Sequence, residues 1–244
     1  MISKNNNKNS YPIRYGVVIP AKNEEKYIYF TIESLWKQKI KPYMIVVIDD
    51  GSLDKTAEIA KDLGAHVIKI NRKSQIPATG TPLLAYVINK GLKVLKKKYL
   101  DYVMIAGSGE IFPRDYVSNI ITRMIADNVV IASGTLWGEK TLGTLSVRGS
   151  GRLINAKWFK KIGFQYPLNY GFETWLLLKA LSMGLKVKIY NDVFFFSLRK
   201  TTFNYRKAYF YGKAMKALNY PLIYVLGKSF KITITKSPYY MRYM

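Results

Sequence analysis

The sequence predicts an α/β fold: a mostly parallel central sheet flanked by helices. Two observations predict it. From Arg14 to about Gly134, short β-branched runs alternate with stretches of helical periodicity, the pattern of strand–helix–strand crossovers. The first two runs end in polar, acidic segments, PAKNEE and DDGSLD. Such folds bind ligands outside the carboxyl ends of their strands.

Each element follows from local chemistry. RYGVVIP is β-branched and stopped by proline, so it reads as a buried strand. In KNEEKYIYFTIESLWKQ, Asn23 suits a cap and Glu24 and Glu25 suit the first turn. Ile28, Ile32 and Leu35 then repeat at helical spacing. YMIVVIDDGS is a second strand ending in Asp49 and Asp50, and LDKTAEIAKDLG is a helix between Asp54 and Gly64. AHVIKI is a third strand. TPLLAYVINKGLKVL opens with Thr81 as cap and Pro82 at the first helical position. DYVMIAG is a strand, RDYVSNIITRMIA a helix and NVVIASG a fifth strand. Residues 133–150 read as loops or short strands. FETWLLLKALSMGLKVKIY reads as a buried helix, a turn at Gly184 and a strand.

Composition bounds the function. The 244 residues, 49% hydrophobic, suit one large domain or one with an appendage. The net charge of +24 points to polyanions, anionic lipid or phosphorylated substrates. After Asp192 there is no Asp or Glu but ten Lys or Arg, interleaved with tyrosines such as Tyr205, Tyr209 and Tyr224. The chain has no cysteine, which excludes disulfides, thiolate-held zinc and thiol catalysis. MISKNNNKNS lacks the apolar segment of a signal peptide and reads as a polar tail. No run is long enough to span a bilayer. No nucleic-acid motif accompanies the charge. The single histidine, His66, falls between a helix and a strand, away from the expected cleft.

VVIPAKNEE and VVIDDGSLDKT, spaced by one helix, together resemble the nucleotide-binding half of the family 2 inverting glycosyltransferases, whose fold is called GT-A. Asn89 and Gly91 in AYVINKG, then GEIFPRDYV, GSGRLINAKWFKKIGF and GFETWLLLKALSMGLKV, match further family segments in order, over about Tyr15 to Arg199. The resemblance implies a polar tail at 1–12, a GT-A domain at 13–199 (nucleotide-sugar half 13–110, acceptor half 111–199) and a basic helical extension at 200–244.

It also implies roles. Pro20 and Ala21 line base and ribose, and Glu24 braces that loop. Asp49 or Asp50 accepts hydrogen bonds from the nucleoside, and turn chemistry with Gly51 and Ser52 is the alternative for both. Arg72 contacts phosphate or base, and Ser108 lies on the nucleotide-sugar. Glu173 falls on the family's catalytic carboxylate, the base that deprotonates an acceptor hydroxyl, and Phe172 falls where an acidic neighbour is usual. The donor is a UDP- or GDP-sugar. The acceptor is a polyprenyl-phosphate, a glycan or a protein.

The metal motif is altered. MIAGSGEIFP puts Gly107 and Gly109 on the family's two metal-holding aspartates, with Glu110 one residue late. Three readings follow. Glu110 holds Mn²⁺ or Mg²⁺; the enzyme works without metal, its Lys and Arg stabilising the diphosphate; or the protein binds nucleotide or glycan without turnover. NYRKAYFYGKAMKALNYPL splits into a basic face (Arg206, Tyr209, Lys213, Lys216) and an apolar face (Ala208, Tyr211, Met215, Leu218, Leu222), which suits a membrane surface. The resulting expectation is a cytoplasmic protein, peripheral at the inner membrane face.

Overall fold

The computed structural model describes residues 12–72, 78–139, 143, 146–199 and 205–235; the polar tail at 1–11 lies outside them. Eight strands form one sheet: β1 (Tyr15–Ala21), β2 (Met44–Asp49), β3 (His66–Lys69), β4 (Tyr102–Ile105), β5 (Glu110–Ile111), β6 (Val129–Leu136), β7 (Arg152–Asn155) and β8 (Lys186–Ser197). Their order is β3-β2-β1-β4-β7-β6-β8-β5. The half from β3 to β4 is wholly parallel. On the other half β7 runs antiparallel between β4 and β6, while β6 and β8 are parallel. The predicted fold class is borne out.

The helices are α1 (Ile28–Trp36), α2 (Thr56–Asp62), α3 (Pro82–Leu95), α4 (Tyr116–Asp127), α5 (Ala156–Lys161), α6 (Phe172–Ser182), α7 (Tyr205–Ala217) and α8 (Leu222–Thr235). Strand alternation sorts the core into two layers. Val17, Ile19, Ile45 and Val47 face the side covered by α1, α2 and α4. Val18, Val46 and Ile48 face the side covered by α3, α5 and α6. On that second side Gly91 lets α3 settle on the sheet, since a Cβ there would lie 2.8 Å from Val18 Cγ1. Asn89 clamps the loop before α6, accepting from Tyr166 N–H and donating to Tyr166 C=O, both at 2.8 Å.

Three local expectations need correction, and one strand goes beyond what the sequence predicted. Helix α1 starts at Ile28, so Glu24 and Glu25 sit in the turn before it, not in its first turn. RLIN forms β7, a strand too short and glycine-flanked to show periodicity. Strand β8 runs on to Ser197, past a register shift opposite Gly134–Thr135. In α7, Ala208 and Met215 are buried as expected, but Tyr211 is exposed and accepts a hydrogen bond from Lys228 of α8 at 2.7 Å. Leu222 belongs to α8 and is exposed.

Candidate active site

The carboxyl ends of β1, β2 and β4 open onto a cavity of about 410 Å³. Its floor is built by two laced loops. Asn23, in the left-handed region at φ 54°, donates its N–H to Ser52 Oγ at 2.9 Å and accepts from Leu53 N–H at 2.8 Å. Glu24 N–H donates to Thr56 Oγ1 at 2.7 Å, and Glu25 N–H to Asp54 Oδ2 at 3.1 Å. The KNEE and DGSLDKT segments are therefore one unit.

Of the residues singled out in the sequence, Pro20, Ala21, Glu24, Asp50, Ser108 and Glu173 line the cavity. Asp49, Arg72 and Glu110 do not line it. Asp49 is buried, and its Oδ1 accepts from Ser52 N–H at 2.9 Å, the turn chemistry that was the alternative for it. Arg72 reaches Asp50 rather than the cavity: its Nε donates to Asp50 Oδ1 at 2.7 Å and its Nη2 to Oδ2. Asp50 is thereby held in one orientation, its edge on the cavity. Lys22 Nζ donates to the carbonyls of Asp50 and Gly51 at 2.8 and 3.0 Å.

Glu173 enters from the opposite wall, in the first turn of α6. Its carboxylate lies against Gly149, where a Cβ would collide with Oε1. Among the described residues none donates a hydrogen bond to that carboxylate. The backbone beneath it is held by Arg152, a fully buried guanidinium paired with carbonyls instead of an acid. Arg152 donates to Arg148 C=O at 2.8 Å and to Val147 C=O and Glu173 C=O at 3.2 Å. One side chain thus couples the 147–149 loop to the start of α6.

Glu110 is turned inward. Its carboxylate accepts from Gly107 N–H at 3.1 Å and from the Ser150 hydroxyl. Burial pushes its carboxyl above the usual glutamate range. Glu24 is pushed up too, by burial only partly offset by Arg199, whose Nη1 lies 2.6 Å from Glu24 Oε1. Among the described residues no three His, Asp or Glu side chains gather closely enough to hold a metal ion. The carboxylates around Gly107–Gly109 are one bound to neutral donors and one paired with arginine. This donor set does not fit a resident divalent ion.

Sequence reasoning missed Gly149, Ser150, Lys22 and Arg199, which also line the cavity. Gly149 and Ser150 lie within GSGRLIN, a segment recognised without assigned roles. Arg199 stands just after β8 and meets the cavity only through sheet pairing far from it in sequence.

A parallel strand-end crevice with acidic residues on one wall and a carboxylate across it defines an α/β nucleotide-binding protein of the GT-A class. The profile of glycosyl transferase family 2 matches residues 16–194, and the chain belongs to that family of nucleotide-sugar-dependent glycosyltransferases. An uncharacterised protein of Methanocaldococcus jannaschii is 34% identical over 189 residues, 72% of this chain and 68% of that one. A 4,4'-diaponeurosporenoate glycosyltransferase of Staphylococcus aureus is 41% identical over 54 residues, 22% of this chain and only 14% of its own length. A mannosyltransferase of Pyrobaculum calidifontis, solved with GDP-Man and Mn²⁺, superposes with TM-score 0.66 at 18% identity over 87% of this chain and 66% of that one. Glucosyl-3-phosphoglycerate synthase of Mycobacterium tuberculosis, solved with Mg²⁺ and UDP, gives 0.61 at 17% over 84% and 78%. The chain thus spans about two-thirds of the mannosyltransferase and a small part of the staphylococcal relative.

Proposed function

We infer that this protein transfers a sugar from a UDP- or GDP-sugar to an acceptor hydroxyl or phosphate with inversion at the anomeric carbon. One observation carries this reading: Glu173 lines the same cavity as Asp50, Glu24 and Ser108, which follow the strand ends. The nucleoside lies on Pro20, Ala21 and Asp50. The diphosphate lies against Gly107 and Ser108, beside Arg199. Glu173 takes the proton of the acceptor hydroxyl. The acceptor oxygen bonds to the anomeric carbon as the carbon–phosphate oxygen bond breaks, and the electron pair leaves on the nucleoside diphosphate. The residues do not fit a divalent ion, and no step is assigned to one here.

The acceptor in this reading is membrane-borne and offers a hydroxyl, and the protein works at the inner membrane face. Helix α7 packs on the cavity rim, where Phe210 meets Gly80 and Leu218 meets Gly171. Helix α8 exposes Leu222, Ile223, Leu226 and Phe230. Among the described residues no helix is long and apolar enough to cross a membrane.

Glycines in place of acids at 107 and 109 favour a second reading, binding without turnover. Glu173→Gln separates the two. For an inverting transferase, kcat falls about 10²–10⁴-fold with UDP or GDP affinity unchanged. Equal turnover, or no transfer by the unaltered protein across a donor and acceptor panel, would overturn the transferase reading.

A further inference from the structure

We propose that Arg199 supplies the fixed positive charge that stabilises the departing diphosphate, at the place where the family resemblance puts two metal-holding aspartates. The inference rests on reading the cavity as a nucleotide-sugar site and goes beyond it by naming the electrophilic group.

The geometry begins with the sheet edge. Strand β5 pairs with the end of β8, Glu110 opposite Ser197. Leu198 N–H continues the ladder to Gly109 C=O at 2.9 Å. This register brings residue 199 beside residue 109, although ninety positions separate them in sequence. Arg199 then folds across the strand end. A Cβ at Gly109 would lie 2.9 Å from Arg199 Nε and 3.1 Å from Nη2. An aspartate at 109 could not stand there without moving the guanidinium. The missing acid and the cation over it are two sides of one arrangement.

Arg199 is also oriented towards the chemistry. It lines the cavity with Gly107 and Ser108, where the diphosphate lies in this reading. Its Nη1 is tethered to Glu24 Oε1 at 2.6 Å, and the guanidinium carbon sits 5.6 Å from the Tyr27 ring centre. The side chain is 46% exposed, so an incoming anion can reach it. A guanidinium has five N–H donors in a planar fork suited to phosphate oxygens, and Glu24 takes one. As negative charge gathers on the leaving diphosphate, a preplaced cation stabilises the transition state without a metal.

No acid near it is free to do a metal ligand's work. Glu110 is bonded inward to Gly107 and Ser150, and Glu24 is the arginine's own tether. The cluster therefore turns the remaining N–H donors of a guanidinium to an anionic ligand, where a metal site presents several acids to a cation.

The test is calorimetric titration of the full chain with UDP and GDP, each in EDTA and in Mn²⁺, with uridine and guanosine as controls. The unaltered protein should bind one diphosphate within about twofold in the two conditions. Arg199→Met should weaken that nucleotide about 10–100-fold, the range expected on losing charge-assisted hydrogen bonds, and leave the nucleoside unaffected. Arg199→Lys, which keeps the charge and guards against a folding defect, should fall between. Diphosphate binding only with Mn²⁺ would overturn the proposal and leave the transferase reading standing. Unchanged diphosphate binding in Arg199→Met would overturn it too. Binding of neither nucleotide under either condition would overturn both readings.

Discussion

Glu173 and Gly149 show how one missing methyl group shapes a site. The carboxylate of Glu173 packs where a Cβ at residue 149 would otherwise be. Gly149→Ala must displace it, because the loop beneath is held by the buried Arg152 and cannot retreat. We expect turnover to fall at least about tenfold, since small misplacement of a reacting group is costly, with UDP or GDP affinity kept. Steady-state kinetics beside calorimetry would show it; full activity would mean that Glu173 is not the base. At this scale the sequence was half legible. Glu173 could be nominated because no other carboxylate lies between Lys140 and Asn191. The bond from Arg72 to Asp50 could not be read, because the two lie on different loops and a cation's partner is settled only by folding.

At the scale of elements, α1 does two jobs. Ile28, Ile32 and Leu35 bury one stripe in the core. A second, polar stripe, Thr31 and Ser34 with Gln38 just past the helix end, is also buried. It serves the segment from β5 into α4. Glu110 N–H donates to Thr31 Oγ1 at 3.0 Å and Phe112 N–H to Ser34 Oγ at 3.2 Å. Gln38 Nε2 donates to the carbonyls of Phe112 and Pro113 at 3.1 and 2.8 Å, and its Oε1 accepts from Val117 N–H at 3.0 Å. Strand β5 ends the sheet order, and an edge strand's open backbone needs a cover; a polar helix stripe provides it here. Gln38→Leu leaves Phe112 C=O and Val117 N–H buried without this partner, while Pro113 C=O keeps Tyr116 N–H at 2.9 Å. It should cost about 2–3 kcal/mol, read as a lowered denaturation midpoint in urea. A midpoint within error of the unaltered protein would refute this role.

For the molecule as a whole, charge and apolar exposure converge on the C-terminal part. It carries ten basic residues and no acid after Asp192. Leu222, Leu226 and Phe230 recur at four-residue spacing on α8, each more than half exposed. That combination suits the interface of an anionic leaflet, where each basic residue contributes about 1 kcal/mol and apolar side chains add their burial. The protein should co-sediment with vesicles containing phosphatidylserine, less so in high salt. Leu226→Asp with Phe230→Asp should release it while nucleotide binding persists. Equal sedimentation with and without vesicles would rule out this docking.

The sequence by itself determined the alternation of strands and helices, the mostly parallel sheet flanked by helices, and the family. These follow from local patterns: β-branched runs, helical spacing, caps and turn residues act within a few positions of one another. Only the tertiary structure decided that Arg72 belongs to Asp50, that Glu110 turns inward to Ser150, that β7 slips between β4 and β6, and that Arg199 lies over Gly109. Each depends on residues distant in sequence meeting across the sheet, and a charged side chain's role is set by whichever partner the fold brings within hydrogen-bonding reach.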